Sequence, residues 1–397
     1  MNTSVNSSAN SSVNSSANQI RLGVIGLGNI GQQHIGHIRS GAVQNCKITA
    51  LSSRGPSALV EEIGAQHFSD YRELVDSGLC DAVLIATPTM SHLDMGLYAL
   101  NKGLHVLMEK PLGLSTAEGE QLLSATGEGQ VFALMLNQRV APVFAKMKAV
   151  IGSGTLGEIQ RTHWTMTNWF RPEVYFQVSD WRATWRGEGG GLLVNQCIHN
   201  IDIFQWLCGV PVSVQGSCGF GKYHDIEVED EATAYFEYSN GATGIFVGST
   251  GESPGVNRLD IVGDNGMLSF DGERLFYTEN TPATSAYNRE TRDMFGQPDT
   301  RETDITPTET VNQHALVISN FADAILQAEP LIAPAAEGID SLSIANAILW
   351  SAWNGERIAL PLNSEGYQQA LNKKVAHSTL REKADIQANI DMEASYR

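Results

Sequence analysis

Five short apolar runs, each followed by an amphipathic stretch, constrain this chain more than any other feature. The strand candidates are residues 21–25, 47–52, 82–86, 105–108 and 131–136. Helix-like segments fall between them at 30–39, 56–63, 71–77, 92–101 and 115–126. Strands apolar on both faces must be covered on both sides, and a helix after each strand carries the chain back to start a parallel neighbour. The pattern predicts an α/β, doubly wound parallel sheet over residues 20–138.

The first turn of that domain reads Gly26-Leu27-Gly28-Asn29-Ile30-Gly31. In a strand–turn–helix context each glycine has its own reason. Gly26 permits the sharp turn, Gly28 lets backbone approach a pyrophosphate, and Gly31 lets the helix sit close to the sheet. The N–H groups opening the helix at Asn29 and Ile30 then face negative phosphates. Thr87 and Pro88 end another strand at the same sheet edge, where open α/β sheets bind their ligands.

Beyond Asn137 the pattern changes. Residues 143–151 read as a helix. Residues 230–238 and 242–247, joined by Ser239-Asn240-Gly241, read as an antiparallel hairpin, and 259–262, 266–270 and 274–277 continue the alternation. The expectation for 139–364 is an α+β domain with a large, mainly antiparallel open sheet that binds substrate. Residues 278–308 carry no clear pattern. Residues 311–328 and 338–355 look helical, and 365–397 form a polar, helical tail. One face of the sheet lacks helices to cover it, so a homo-oligomer, dimer or tetramer, is expected through that face.

Composition narrows the partners. With 44 acidic and 26 basic residues the net charge is −18, which opposes nucleic acid and anionic membrane. Five cysteines without a Cys-x-x-Cys pair suit reduced thiols in a cytoplasmic protein, not a disulfide framework or a zinc site. Residues 1–19 consist mainly of near-repeated Asn, Ser, Val and Ala, with neither the basic nor the apolar region of a secretory signal. They read as a disordered tail.

Three motifs in order carry a resemblance: the glycine loop, Glu109-Lys110-Pro111 after a strand, and Gly189-Gly190-Gly191-x-x-x-Asn195-Gln196-x-x-His199-x-x-Asp202. Together they resemble the glucose–fructose oxidoreductase/inositol dehydrogenase (Gfo/Idh/MocA) family, over about residues 21–362. Thr167-Asn168-Trp169-Phe170-Arg171 and Asp180-Trp181-Arg182 look like a branch acting on glycosides, sugars or cyclitols. The resemblance implies an NAD(P)-dependent oxidoreductase with a Rossmann-like first domain, in which Lys110 and His199 meet at the nicotinamide; no cluster of His, Cys and carboxylates has metal spacing, so no metal is expected to take part. The Lys110–Pro111 bond is often cis in the family.

The chemistry of the residues agrees with that implication. Oxidising a secondary alcohol requires removal of the hydroxyl proton, for which His199 is the natural base. The ammonium of Lys110 can stabilise the negative charge that develops on the same oxygen. If residues 192–206 are one helix, Asn195, His199 and Asp202 share a stripe. Many family members carry Asp where this chain has Asn195, which leaves Asn195 as a group that orients substrate, while Asp202 serves the helix or the His199 ring. Arg171, Tyr175, Trp181 and Arg182 are candidates for a substrate wall, since sugar faces stack on aromatics and guanidinium groups donate to hydroxyls. Trp164 and Trp185 suit either such a wall or the domain core.

The dinucleotide contacts expected from motif and resemblance are Gly26, Gly28, Asn29, Ile30, Ser53, Arg54, Thr87, Pro88, His92, Glu109, Lys110, Asn137 and Arg182. The second strand ends in Ser52-Ser53-Arg54 without the carboxylate that binds an NAD ribose, and an arginine there suits a 2′-phosphate. NADP(H) is therefore favoured, while NAD(H) with Arg54 stacked on the adenine stays open. The expected reaction is oxidation of a ring secondary hydroxyl, at C3 of a glucoside, to a ketone. Inositol dehydrogenase, a glycosidase acting through transient oxidation, and a non-catalytic nucleotide sensor are the alternatives; the Thr-His-Gly-type motif of such glycosidases is absent from the sequence.

Overall fold

The computed structural model describes residues 19–55 and 58–382, with 386 and 389. Residues 1–18 of the expected tail and most of the chain beyond 382 lie outside the described residues. In the first domain β1 (Ile20–Ile25), α1 (Asn29–Arg39), β2 (Cys46–Ser52), α2 (Ala58–Ile63), β3 (Gln66–Phe68), α3 (Tyr71–Asp76), β4 (Ala82–Ile85), α4 (His92–Asn101), β5 (His105–Met108), α5 (Thr116–Ser124) and β6 (Phe132–Leu134) follow one another. Their strands form one sheet in the order β3-β2-β1-β4-β5-β6. All five pairings are parallel. The short β3 escapes a periodicity reading, because three residues cannot establish an alternation. The order reverses between β1 and β4, so the glycine loop and Thr87 flank the switch point where such sheets take a ligand.

The second domain begins with α6 (Pro142–Gly152), β7 (Ile159–Met166), α7 (Glu173–Gln177), α8 (Trp185–Glu188) and α9 (Ile198–Cys208). Then come β8 (Ser213–Phe220), β9 (Glu229–Glu237), β10 (Thr243–Ser249), β11 (Asn257–Gly263), β12 (Gly266–Phe270), β13 (Leu275–Thr281), α10 (Thr284–Glu290) and β14 (Asp299–Asp304). The chain closes with α11 (Gln313–Gln327), α12 (Ala335–Asn354), β15 (Ile358–Ala359) and α13 (Ser364–His377). Nine strands make the second sheet, ordered β14-β13-β12-β11-β7-β10-β9-β8-β15. Only β7 and β10 pair in parallel. Within the stretch expected to be patternless, α10 and β14 form. Every residue of β14 is exposed, so no apolar alternation marks it in the sequence.

The helices α6, α9 and α12 cover one face of this sheet. Trp164 on β7 is fully buried there, 5.7 Å from the ring of Phe144 on α6 and 6.4 Å from that of Phe246 on β10. Trp185 is buried as well and meets Trp353 of α12 edge-on at 5.4 Å. Both tryptophans are core residues, which decides the alternative left open above. On the opposite face, Ile245 of β10 is 36% exposed.

The two domains are knit by residues far apart in sequence. Although α11 lies within the second segment, its Val317, Ile318 and Phe321 join a core with Leu22, Val24 and Leu51 of the first sheet. The buried Arg139 gives Nε and Nη2 to both oxygens of Asp202 on α9, at 2.8 and 2.7 Å, and Nη1 to the carbonyl of Ile332 and to Glu337 on α12. Burying such a pair is costly, so both carboxylate oxygens and the guanidinium need these partners. Asp202 thus serves the domain junction and not the His199 ring.

Candidate active site

The glycine loop has the shape its sequence requires. Gly26 has φ +98°, and a Cβ there would meet the Ala86 carbonyl oxygen at 2.4 Å; one on Gly31 would meet the Gly26 carbonyl oxygen at 2.1 Å. Around Gly28 nothing lies within 4 Å, leaving backbone open to a ligand. No side chain caps α1, and its first turn carries no acidic residue. The N–H groups at Asn29 and Ile30 are therefore free for an anion. These features fit a dinucleotide pyrophosphate.

At the adenosine end of that edge, Ser53 Oγ donates to the Gly55 carbonyl at 2.7 Å and lies 3.0 Å from His67 Nε2 on β3. Arg54 is exposed beside them. No sequence signal marks the His67–Ser53 pair, because the three residues of β3 are too few to establish an alternation.

Farther along, Glu109 directly follows β5, with its carboxylate 2.7 Å from Nε2 of the buried His34 on α1. Burial pushes that carboxyl up, but the His34 bond and the charges of His34 and Lys110 bring it down to about 2. The Lys110–Pro111 peptide is cis. His92, expected to touch the cofactor, is fully buried and spans the carbonyls of Pro111 (Nδ1, 2.9 Å) and Thr87 (Nε2, 3.0 Å). Both ring nitrogens are used, so His92 ties the two loops together and presents no polar atom to a ligand. Pro88 caps a short 3-10 turn, Thr89–Ser91, that leads into α4.

The expected helix over 192–206 starts later, at Ile198. Residues before it form turns, because the buried carboxylate of Glu229 on β9 accepts from the N–H groups of Gly191 and Leu193, each at 2.9 Å. Those donors are withdrawn from helix formation, and the glycines tolerate the sharp path. Asn195 consequently lies outside the helix that carries His199. Its carbonyl accepts from Lys110 Nζ at 3.0 Å, while its side-chain amide donates to Glu188.

Lys110 and His199 are electrostatic neighbours. Burial holds the His199 imidazole well below its ordinary pKa, and the positive charge of Lys110 lowers it further. Burial also lowers the Lys110 ammonium, against the opposing charges of Glu109 and Glu188. Neutral imidazole beside an ammonium can accept a proton while the ammonium stabilises an oxyanion. The imidazole Nδ1 is buried without a hydrogen-bond partner among the described residues.

Of the expected substrate wall, Arg182 lies over the rings of Tyr175 (4.4 Å) and Trp181 (4.8 Å) and donates to the Tyr175 hydroxyl. Arg171 stands 5.3 Å from the Tyr175 ring and 5.1 Å from that of Trp169. Both guanidinium charges act on Lys110, which places this group on the Lys110 side of the site. The loop bearing Arg171 is held by His224, whose ring bridges the buried Asp230 (3.1 Å) and the Arg171 carbonyl (2.8 Å). Trp169 is buried, with its indole N–H donating to Asn200 at 3.1 Å.

Trp169 and Asn200 also line a cavity of about 700 Å³. Asn137, Gln138, Asn168 and His314 line it, and none of its lining residues is Asp, Glu, Lys or Arg. Asn137 donates from its amide to Gln313 at 2.9 Å. No group of three or more His, Cys, Asp or Glu able to hold a metal occurs among the described residues, and no helix there is long and apolar enough to cross a membrane. The five cysteines are all free thiols. Sequence reasoning missed Glu188, His34, His224 and Asp230. The single signal for Glu188 was a carboxylate set directly before three glycines.

Comparison with known proteins agrees with this geometry. Residues 20–137 match the oxidoreductase family, NAD-binding Rossmann fold, and residues 144–269 match the GFO/IDH/MocA C-terminal domain. Among curated relatives, scyllo-inositol 2-dehydrogenase (NAD(+)) of Bacillus subtilis is 28% identical, over 63% of this chain and 73% of its own length. The NADP(+)-dependent scyllo-inositol 2-dehydrogenase IolW of the same organism is 24% identical, over 86% of this chain and 96% of its own. Among solved structures, the WlbA dehydrogenase of Bordetella pertussis, in complex with NADH and UDP-GlcNAcA, superposes with a TM-score of 0.73 at 26% identity, covering 87% of this chain and all of that one. Its relatives use NAD in one case and NADP in another, and they act on cyclitol or sugar alcohols. The glycine loop, the Lys110–His199 neighbourhood and both matched domains make this chain a member of the Gfo/Idh/MocA family of NAD(P)-dependent sugar and cyclitol dehydrogenases.

Proposed function

We propose that this enzyme oxidises a ring secondary hydroxyl of a sugar or glycoside, at C3, with NADP(H) as the favoured cofactor. The observation that carries the reading is the meeting of Lys110, from the first domain, with the turn that leads into His199 of the second. When bound, the nicotinamide supplies the acceptor for the departing hydride. Gly26, Gly28, Asn29 and Ile30 would hold the pyrophosphate, with Ser53 and Arg54 at the ribose and Thr87, Glu109 and Asn137 along the remaining edge.

The residues of this chain then do the rest. Lys110 hydrogen-bonds the reacting hydroxyl and stabilises its developing negative charge, and His199, neutral because it is buried, takes the proton. Arg182, over Tyr175 and Trp181, and Arg171, over Tyr175 and Trp169, donate to neighbouring hydroxyls. The exposed sheet face around Ile245 supports self-association through the second domain.

The test is the absorbance of reduced nicotinamide during incubation with methyl glucosides and inositols, with each cofactor. Net reduction with a glucoside, faster with NADP than with NAD, is expected. Lys110→Ala and His199→Ala should each lower turnover by about 100-fold or more while dinucleotide affinity changes little. Reduction with inositols alone would replace the glycoside reading by the cyclitol one, and unchanged turnover in either variant would end the assigned roles.

A further inference from the structure

Glu188 ends α8 and is 4% exposed. One carboxylate oxygen accepts from the backbone N–H of Ala183 at 2.6 Å, and the other accepts from the side-chain amide of Asn195. Burial raises the pKa of this carboxyl, and the Arg182 charge, the two donors and the Lys110 charge oppose that rise by favouring its ionised form.

The two residues it holds lead directly to the chemistry. Ala183 adopts φ +55°, a left-handed conformation that a non-glycine side chain disfavours, and it follows Arg182. The bond to Ala183 therefore fixes the corner from which Arg182 reaches Tyr175. Asn195 receives the Lys110 ammonium on its carbonyl. One carboxylate thus anchors the arginine corner and the seat of the lysine together. We propose that Glu188 is a positioning residue for Lys110: it fixes Asn195 under the ammonium and supplies a negative charge facing it from the second domain.

The charges around Lys110 leave room for such a role. Glu109 contributes from the same strand end, but its carboxylate is engaged with His34. Arg182, Arg171, His199, His92 and His314 are the other titratable groups near it, and each of these is basic. Around Glu188 itself stand Arg182, Lys110 and Glu229. Glu188 is therefore the second acidic group available to keep Lys110 protonated against burial.

The inference rests on the role proposed for Lys110, but its test needs no turnover. The rate at which acetic anhydride acylates Lys110 is followed against pH by peptide mass spectrometry in the intact protein. Glu188→Gln should move the midpoint of Lys110 reactivity to lower pH by about one unit, because a facing negative charge is lost, and Glu188→Asp should restore it. A purely structural role would change the extent of labelling without moving the midpoint, and an unmoved midpoint overturns the proposal. If Glu188→Gln does not fold, the Ala183→Gly/Glu188→Gln double variant relieves the left-handed corner and is measured against Ala183→Gly. In the dehydrogenase assay the alkaline limb of kcat/KM should move the same way. Absence of any turnover in the wild type would sink the dehydrogenase reading and leave the labelling result standing.

Discussion

Replacing Glu229 with Gln tests how the turn before His199 is held. This carboxyl has no exposure to solvent, and burial raises its pKa from 4.5 to about 7 despite the N–H groups of Gly191 and Leu193 that favour its ionised form. A raised native pKa means that the folded protein binds the proton more tightly than the unfolded chain. Stability from this group is therefore greatest below about pH 4.5 and declines as pH rises, until the decline levels off above about 7. At about 1.4 kcal/mol for each pH unit, the whole loss is about 3 kcal/mol. Glutamine fills the same space, its carbonyl oxygen can take the place of the oxygen that accepts from both N–H groups, and it does not titrate. Urea unfolding of both proteins at pH 5 and pH 8 isolates the effect, since every other titrating group is common to them. The variant should gain about 3 kcal/mol on the wild type between the two values. A difference that stays constant with pH would show that Glu229 is not proton-linked, and the account of the buried carboxylate would fail.

Arg139→Ala leaves Asp202 buried without its bidentate partner, so a loss of about 3–5 kcal/mol is expected, measured by chemical denaturation. Gly31→Ala puts a methyl 2.1 Å from the Gly26 carbonyl oxygen; the turn must open, and dinucleotide affinity in a fluorescence titration should fall by about 100-fold, with a fall below threefold counting against the loop's role. Arg54→Ala should lower affinity for NADP by about 10-fold or more and leave that for NAD nearly unchanged, the loss of one charge-assisted contact; an equal effect on both cofactors would mean that Arg54 stacks on the adenine.

Much of the first domain was legible because its signals are local. A buried parallel strand needs a continuous apolar run, and a helix at a strand's end needs glycines where backbone must turn sharply or pack closely. Those demands fall on adjacent residues, so β1, α1 and the loop between them could be located closely. The hairpin of β9 and β10 was readable for the same reason: alternation and a turn dipeptide are properties of neighbours. Lys110 and His199 could be named from motifs, yet their neighbourhood depends on contacts between positions that lie 85 residues apart at Lys110–Asn195.

What the amino-acid order alone determined was the layered α/β domain, the phosphate-facing turn, and the residue types able to move a proton and steady an oxyanion. Tertiary structure decided where helix α9 begins, that Asn195 offers its carbonyl to lysine and its amide to Glu188, and that α11 completes the first domain's core. It also turned His92 from a ligand contact into a strut and gave Asp202 to Arg139. The physical reason is common to these cases. Local periodicity and backbone sterics act between near neighbours, whereas the partner of a buried charge or polar group is whichever donor the fold brings within about 3 Å, and sequence distance carries no record of that.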